Sequence, residues 1–147
     1  MKILAYNPAP TGVTYYRITT PHETMDELDL SYIPWLDTEK EIDGIDHDIF
    51  IFNRYLSEKG LDEHIINEVK KTGTKVVCDV DDYWILPSTH SRFNVFNEKY
   101  QPAVIKCIKL SDAVIVTNEE LRQKVLPYNE NVYIVPNAYN PTHPQRS

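Results

Sequence analysis

The feature that most constrains this chain is a series of short, nearly unbroken apolar runs separated by amphipathic stretches. Lys2–Tyr6, Asp48–Phe52, Lys75–Cys78 and Ala113–Val116 are rich in Val, Ile and Phe. A strand that is wet on one face alternates apolar and polar residues, whereas one covered by helices on both faces is apolar throughout. Leu28–Ile33 and Val132–Val135 are weaker strand candidates, because polar residues interrupt or border them. Helical patterns fill the gaps. Leu61–Thr72 puts Leu61, Ile65 and Val69 on one face, carries Lys70 and Lys71 in its last turn, and stops at Gly73. Pro102 reads as the first position of a helix to Leu110, and Thr117-Asn118-Glu119-Glu120 as a capping box. A second capping box, Thr20-Pro21-His22-Glu23, predicts that the helical stretch from Tyr15 to Leu28 is kinked or restarted at Pro21. Strand–helix alternation of this kind predicts an α/β fold: a doubly wound, Rossmann-like parallel sheet with helices on both faces.

The chain's 147 residues suit one domain. A net charge of −7 argues against direct nucleic-acid binding, which draws its affinity from an excess of Lys and Arg. Cys78 and Cys107 lie in or beside apolar segments without metal-type spacing, so reduced, buried thiols of a cytoplasmic protein are expected. No apolar run reaches the roughly 20 residues that a membrane-spanning helix requires.

Ligands of doubly wound sheets bind outside the carboxyl ends of the strands, so the residues after each apolar run are the candidates. After the first strand, Asn7 to Arg17 contains no GxGxxG and no phosphate loop, but Gly12 permits close backbone approach at a helix start. Arg54 follows the Asp48–Phe52 run and suits two-pronged binding of a phosphate, a carboxylate or a nearby Asp. The Asp79-Val80-Asp81-Asp82-Tyr83-Trp84 stretch sets three carboxylates at the end of a buried strand. Such a group persists when a sugar, a metal ion or neighbouring cations compensate it. With no His or Cys cluster nearby, Arg17 or Arg54 is the expected compensation, with no metal. Tyr83 and Trp84 add aromatic faces of the kind that stack on pyranose rings. His90, in the polar connection that follows, is a candidate base or phosphate ligand. Other Asp-centred chemistries fail on position: a phosphoreceiver needs its acids, acceptor Asp and Lys where this chain has Asn7, Asn53 and Thr117-Asn118.

Three segments carry a family resemblance. Gly12 to Pro21, as G-x-x-Y-Y-R-x-x-x-P, resembles the opening loop and helix of retaining glycosyltransferases of the GT-B fold. Asp112 to Leu121 and Asn131 to Asn140, with Pro136-Asn137-Ala138, resemble two later segments of that family. Asp79 to Trp84 with His90 is similar to a branch common in phage and bacterial family-4-like enzymes. The resemblance implies that residues 1–140 form the acceptor-side Rossmann-like domain and that 141–147 begin an interdomain linker. It implies a nucleotide-sugar donor held mainly by a second domain carrying E-x7-E, a sugar or glycan acceptor, and no tightly bound cofactor. By the same resemblance Gly12, Tyr16 and Arg17 line the cleft floor; Arg54 and Trp84, on the position and chemistry given above, are further candidate binding residues. Asp81, Asp82 and His90 then face the transferred sugar or the acceptor hydroxyl. Thr11-Gly12 stands where the family has Gly-Gly, which weakens the case for donor-phosphate contact there. The competing expectation is a non-catalytic module of the same fold that binds a sugar, a nucleotide or a protein.

Overall fold

A computed structural model describes residues 1–6, 12–23, 25, 27–33, 42, 45–57 and 59–137. The proposed boundary at residue 140, the 141–147 segment and the Asn7–Thr11 part of the first loop lie outside the described residues. Six parallel strands form one sheet: β1 Lys2–Tyr6, β2 Asp29–Ile33, β3 Ile49–Asn53, β4 Lys75–Val80, β5 Ala113–Val116 and β6 Val132–Ile134, in the spatial order β2-β1-β3-β4-β5-β6. The order reverses between β1 and β3, so the topological switch point lies at their carboxyl ends. The fold is the expected doubly wound α/β arrangement.

Side chains divide by strand parity between two faces. Leu4, Phe50, Phe52, Val76, Cys78, Val80, Val114 and Val116 join one large core with residues of three helical segments. These segments are α2 (Asp62–Lys71), α3 and α4 (Glu119–Val125). α3 starts at Phe93–Val95, passes through a π-helical turn at Phe96–Tyr100 and continues as Gln101–Leu110. The helix thus begins upstream of Pro102, whose missing N–H falls where a π turn has already disturbed the ladder. The other face holds Ile3, Ala5 and Ile51 under Ile18, from helix α1 (residues 12–23). Beyond them Val77 and Ile115 are half-buried, and Tyr133 is exposed.

α1 runs as Gly12–Thr14, a π-helical turn Tyr15–Thr19, and Thr20–Glu23. Thr20 has helical backbone angles and its N–H donates to the Tyr15 carbonyl, five residues back. The expected restart at Pro21 is therefore absent. A widened turn carries the helix up to the proline, which itself has no N–H to place. Two further expectations shift. Asn118, not Thr117, caps α4, its side chain accepting the Leu121 N–H at 2.9 Å. Leu61 is 39% exposed just before α2, while Ile65, Ile66 and Val69 form the inward face.

Candidate functional site at the strand ends

β1, β3 and β4 are adjacent and parallel, so Gly12, Arg54 and Asp81 all follow strands that end on one edge of the sheet. At that edge the polar residues form a linked network. Asp79 lies in the last part of β4, is fully buried, and stands in register with Asn53 of β3. Arg17 reaches it from α1: Nε donates to Asp79 Oδ1 at 3.0 Å and Nη2 to the same oxygen at 2.5 Å. The third donor, Nη1, bonds the backbone carbonyl of Val135, just past β6. The Asn53 side-chain amide then links two acids, donating to Asp79 Oδ2 at 2.9 Å and to Asp81 Oδ1 at 3.0 Å. Arg54 closes the network outward, with Nε 2.9 Å from Asp81 Oδ1, and Nη2 3.1 Å from Asp81 Oδ2 and 3.0 Å from Asp82 Oδ2.

The local backbone explains how Arg54 reaches both acids. Its φ is +59°, in the left-handed region that an L side chain enters only when its surroundings impose it. The turn is held by the Arg54 N–H on the Asp79 carbonyl at 2.8 Å and by the Tyr55 N–H on the Asn53 carbonyl at 2.8 Å. The strand ladder therefore runs one residue past β3 before the chain turns away.

Burial and pairing drive the two inner acids in opposite directions. Burial pushes the Asp79 carboxyl above its ordinary value, prevailing over the bonds and charge of Arg17 and the bond from Asn53. Burial also acts on Asp81, but bonds from Arg54 and Asn53 and the Arg54 charge outweigh it and hold that carboxyl below the usual range. Burial lowers Arg54, yet its bonds to Asp81 and the charges of Asp81 and Asp82 keep the guanidinium above its ordinary value. Asp82 differs in access: its side chain is 76% exposed.

The expected compensation of the acids by Arg17 and Arg54 is what the structure has, with Arg17 on Asp79 and Arg54 on Asp81 and Asp82. Among the described residues no group of three or more His, Cys, Asp or Glu is placed to hold a metal. Three expected binding residues are thus committed within the chain: Arg54, as above, and two that are buried. Arg17 is 3% exposed, with its donors turned to Asp79 and Val135, so it does not line an open cleft floor. Trp84 is also 3% exposed, belongs to the large core and sits edge-on to Tyr128 at 6.4 Å, so its faces are not open to a sugar ring. Tyr83 beside it is 43% exposed, with Lys124 Nζ 5.5 Å from its ring centre. Gly12 and Tyr16 are exposed at the start of α1, and among the described residues nothing lies within 4 Å of where a Gly12 Cβ would stand. His90 is exposed in the connection after β4, and its Nδ1 accepts the Arg92 N–H at 3.1 Å. A neutral imidazole in that arrangement carries its proton on Nε2 and faces outward as a donor. Asn53 is the member of this network that the sequence reading does not reach. The signal for Asn53 is its position immediately before Arg54 at a strand end.

The fold and edge define a doubly wound α/β domain with an ion-paired acidic cluster at its switch-point edge. No protein-family profile matches the chain, and no curated protein does. A solved structure described as a conserved protein from Enterococcus faecalis V583 is similar over 86% of this chain and 98% of its own, at 14% identity and a TM-score of 0.47. A likeness at that level bears on neither the site nor its chemistry. Among the described residues no helix is long and apolar enough to cross a membrane.

Proposed function

We propose that this chain is the acceptor-side domain of a glycosyltransferase, which moves a sugar from a nucleotide-sugar onto a hydroxyl of a sugar or glycan acceptor, with a second domain holding the donor. The observation that carries this reading is the commitment of Arg17 and Arg54 to carboxylates. A half-cleft built for a diphosphate keeps guanidinium forks open toward it. This edge presents instead the accessible Asp82 carboxylate, with the exposed ring of Tyr83 next to it in the chain. Carboxylate oxygens accept hydrogen bonds from sugar hydroxyls, and aromatic rings cover the apolar faces of pyranoses.

On this reading Asp82 takes the proton of the acceptor hydroxyl as general base, a task requiring a carboxylate in hydrogen-bond reach of the substrate. Asp81, clamped by Arg54 and Asn53, positions the loop that carries it. His90 offers Nε2–H as a donor to the acceptor, and Gly12 leaves the cleft floor open. The donor's leaving diphosphate gains charge that needs fixed positive groups, which the second domain supplies. The test is saturation-transfer NMR with a panel of mono- and disaccharides on wild type and Asp82→Asn. Wild type should bind at least one sugar, and D82N should weaken that binding about tenfold with an unchanged melting temperature. Residues 1–147 alone should hydrolyse nucleotide-sugars at the background rate. Robust donor turnover by this chain alone would refute the division of labour. Sugar binding without transfer after fusion to a donor domain is the outcome expected of a non-catalytic module.

A further inference from the structure

The Arg17–Asp79 pair presents a physical puzzle. Both side chains are essentially out of water, at 2% and 0% exposure. Ion pairs so placed give up hydration that their attraction only partly restores, and well-packed apolar replacements are commonly as stable or more so. What a pair of apolar side chains cannot reproduce is the third contact. Arg17 Nη1 donates to the Val135 carbonyl, while the Val135 N–H donates to the Val116 carbonyl at 2.8 Å. The backbone at Val135 is thus held from both sides, by strand β5 and by a helix from the first crossover. Its side chain is 37% exposed and gives the segment little apolar anchorage. Pro136 follows and has no N–H, so it brings no backbone donor of its own to fasten the path onward.

We propose that Arg17 is a latch: it fastens the chain leaving β6 onto the strand-end cluster and couples the position of residues 135–137 to Asp79 and, through Asn53, to Asp81. The inference is independent of the glycosyltransferase reading, since it rests on backbone and side-chain geometry alone. A fork is required for this task. One guanidinium holds a buried carboxylate with two nitrogens and still aims a third at a carbonyl, whereas an ammonium is a compact point charge on a flexible stem. Displacing the exit segment removes an acceptor from a buried Arg, and the cost falls on the geometry of Asp79. Asn53 then carries that change to Asp81, the acid that Arg54 holds.

The test is residue-resolved amide hydrogen exchange on the full chain in two variants. Arg17→Lys retains the charge opposite Asp79, and R17M/D79L replaces the pair with apolar side chains. Both should retain the wild-type far-UV circular dichroism and slow exchange at Val114 and Val116. In each, exchange at Val135 should accelerate at least tenfold, and the Asn53 side-chain amide resonances should shift. Wild-type protection at Val135 in either folded variant would overturn the latch. If the double variant fails to fold, R17K alone decides.

Discussion

Arg54 joins an unfavourable backbone conformation to three hydrogen bonds, and the two contributions are separable. Truncation to Ala removes both bonds to Asp81 and the one to Asp82, leaving Asp81, at 10% side-chain exposure, with Asn53 as its remaining side-chain donor. Losing a charge-assisted partner of a largely buried carboxylate costs about 2 to 3 kcal/mol. Ala at φ +59° retains the left-handed penalty, roughly 1 kcal/mol or somewhat more for an L residue, and Gly does not. Arg54→Ala should therefore destabilise the domain by about 2.5 kcal/mol, and Arg54→Gly by only about 1.5 kcal/mol. Both variants lack the same hydrogen bonds, so their difference isolates the backbone contribution. Urea denaturation at neutral pH reads it: with a slope of about 2 kcal/mol per molar, the glycine midpoint should lie about 0.5 M above that of alanine. Equal midpoints, or a higher one for alanine, would refute the claim that this turn imposes a left-handed residue at position 54.

The acids give a pH signature. Asp81 is held below its ordinary value, so its stabilisation is present above about pH 4 and is lost as pH falls through the lower folded value; thermal melts from pH 6 to 3 should show a flatter acid limb in Asp81→Asn. Asp79 runs the opposite way, because a raised folded value gives stability that is present below the ordinary value and is lost as pH rises through the folded one; Asp79→Asn should remove that slope in the same melts. At the start of α4, Asn118→Ala should cost about 1 kcal/mol while Thr117→Ala costs less than half of that, by urea midpoint. Trp84→Ala should destabilise by about 3 to 5 kcal/mol, as loss of a core residue, and a change within ordinary surface scatter would show that Trp84 is not in the core.

The sheet was legible because burial on both faces leaves a mark on single strands: the runs at Ile3, Phe50, Val76 and Val114 have few polar interruptions. The reading stopped short at polar residues that end strands. Asn53 and Asp79 look like loop, yet they stand in ladder register with each other, and each satisfies the other's side chain. The helix rules failed where a longer-range bond competed. Thr20-Pro21 has the spacing of a cap, but the i→i−5 bond of Thr20 carries the helix through. That Asp residues would be matched by Arg17 and Arg54 followed from charge alone. Which Arg takes which Asp depends on how α1 and the β3 turn approach, and that is tertiary. Trp84 shows the same limit, because local sequence does not tell a stacking platform from a core residue next to Tyr128.

The switch in strand order also bears on how the domain assembles. From β3 to β6 each strand pairs with its successor in sequence, so that half of the sheet closes by successive crossovers of moderate length. β1 and β2 pair with each other, and in the sheet β1 joins them to the rest by its pairing with β3. Closing a longer loop costs more chain entropy, and non-local contacts recover that cost only after docking. The network at the carboxyl edge spans this seam: Arg17 comes from the first unit, and Asp79, 62 residues on, from the second. A nascent or partly unfolded chain with its first unit undocked therefore keeps Arg54 on Asp81 but leaves Asp79 without Arg17, so the Arg17–Asp79 pair reports that both units have come together.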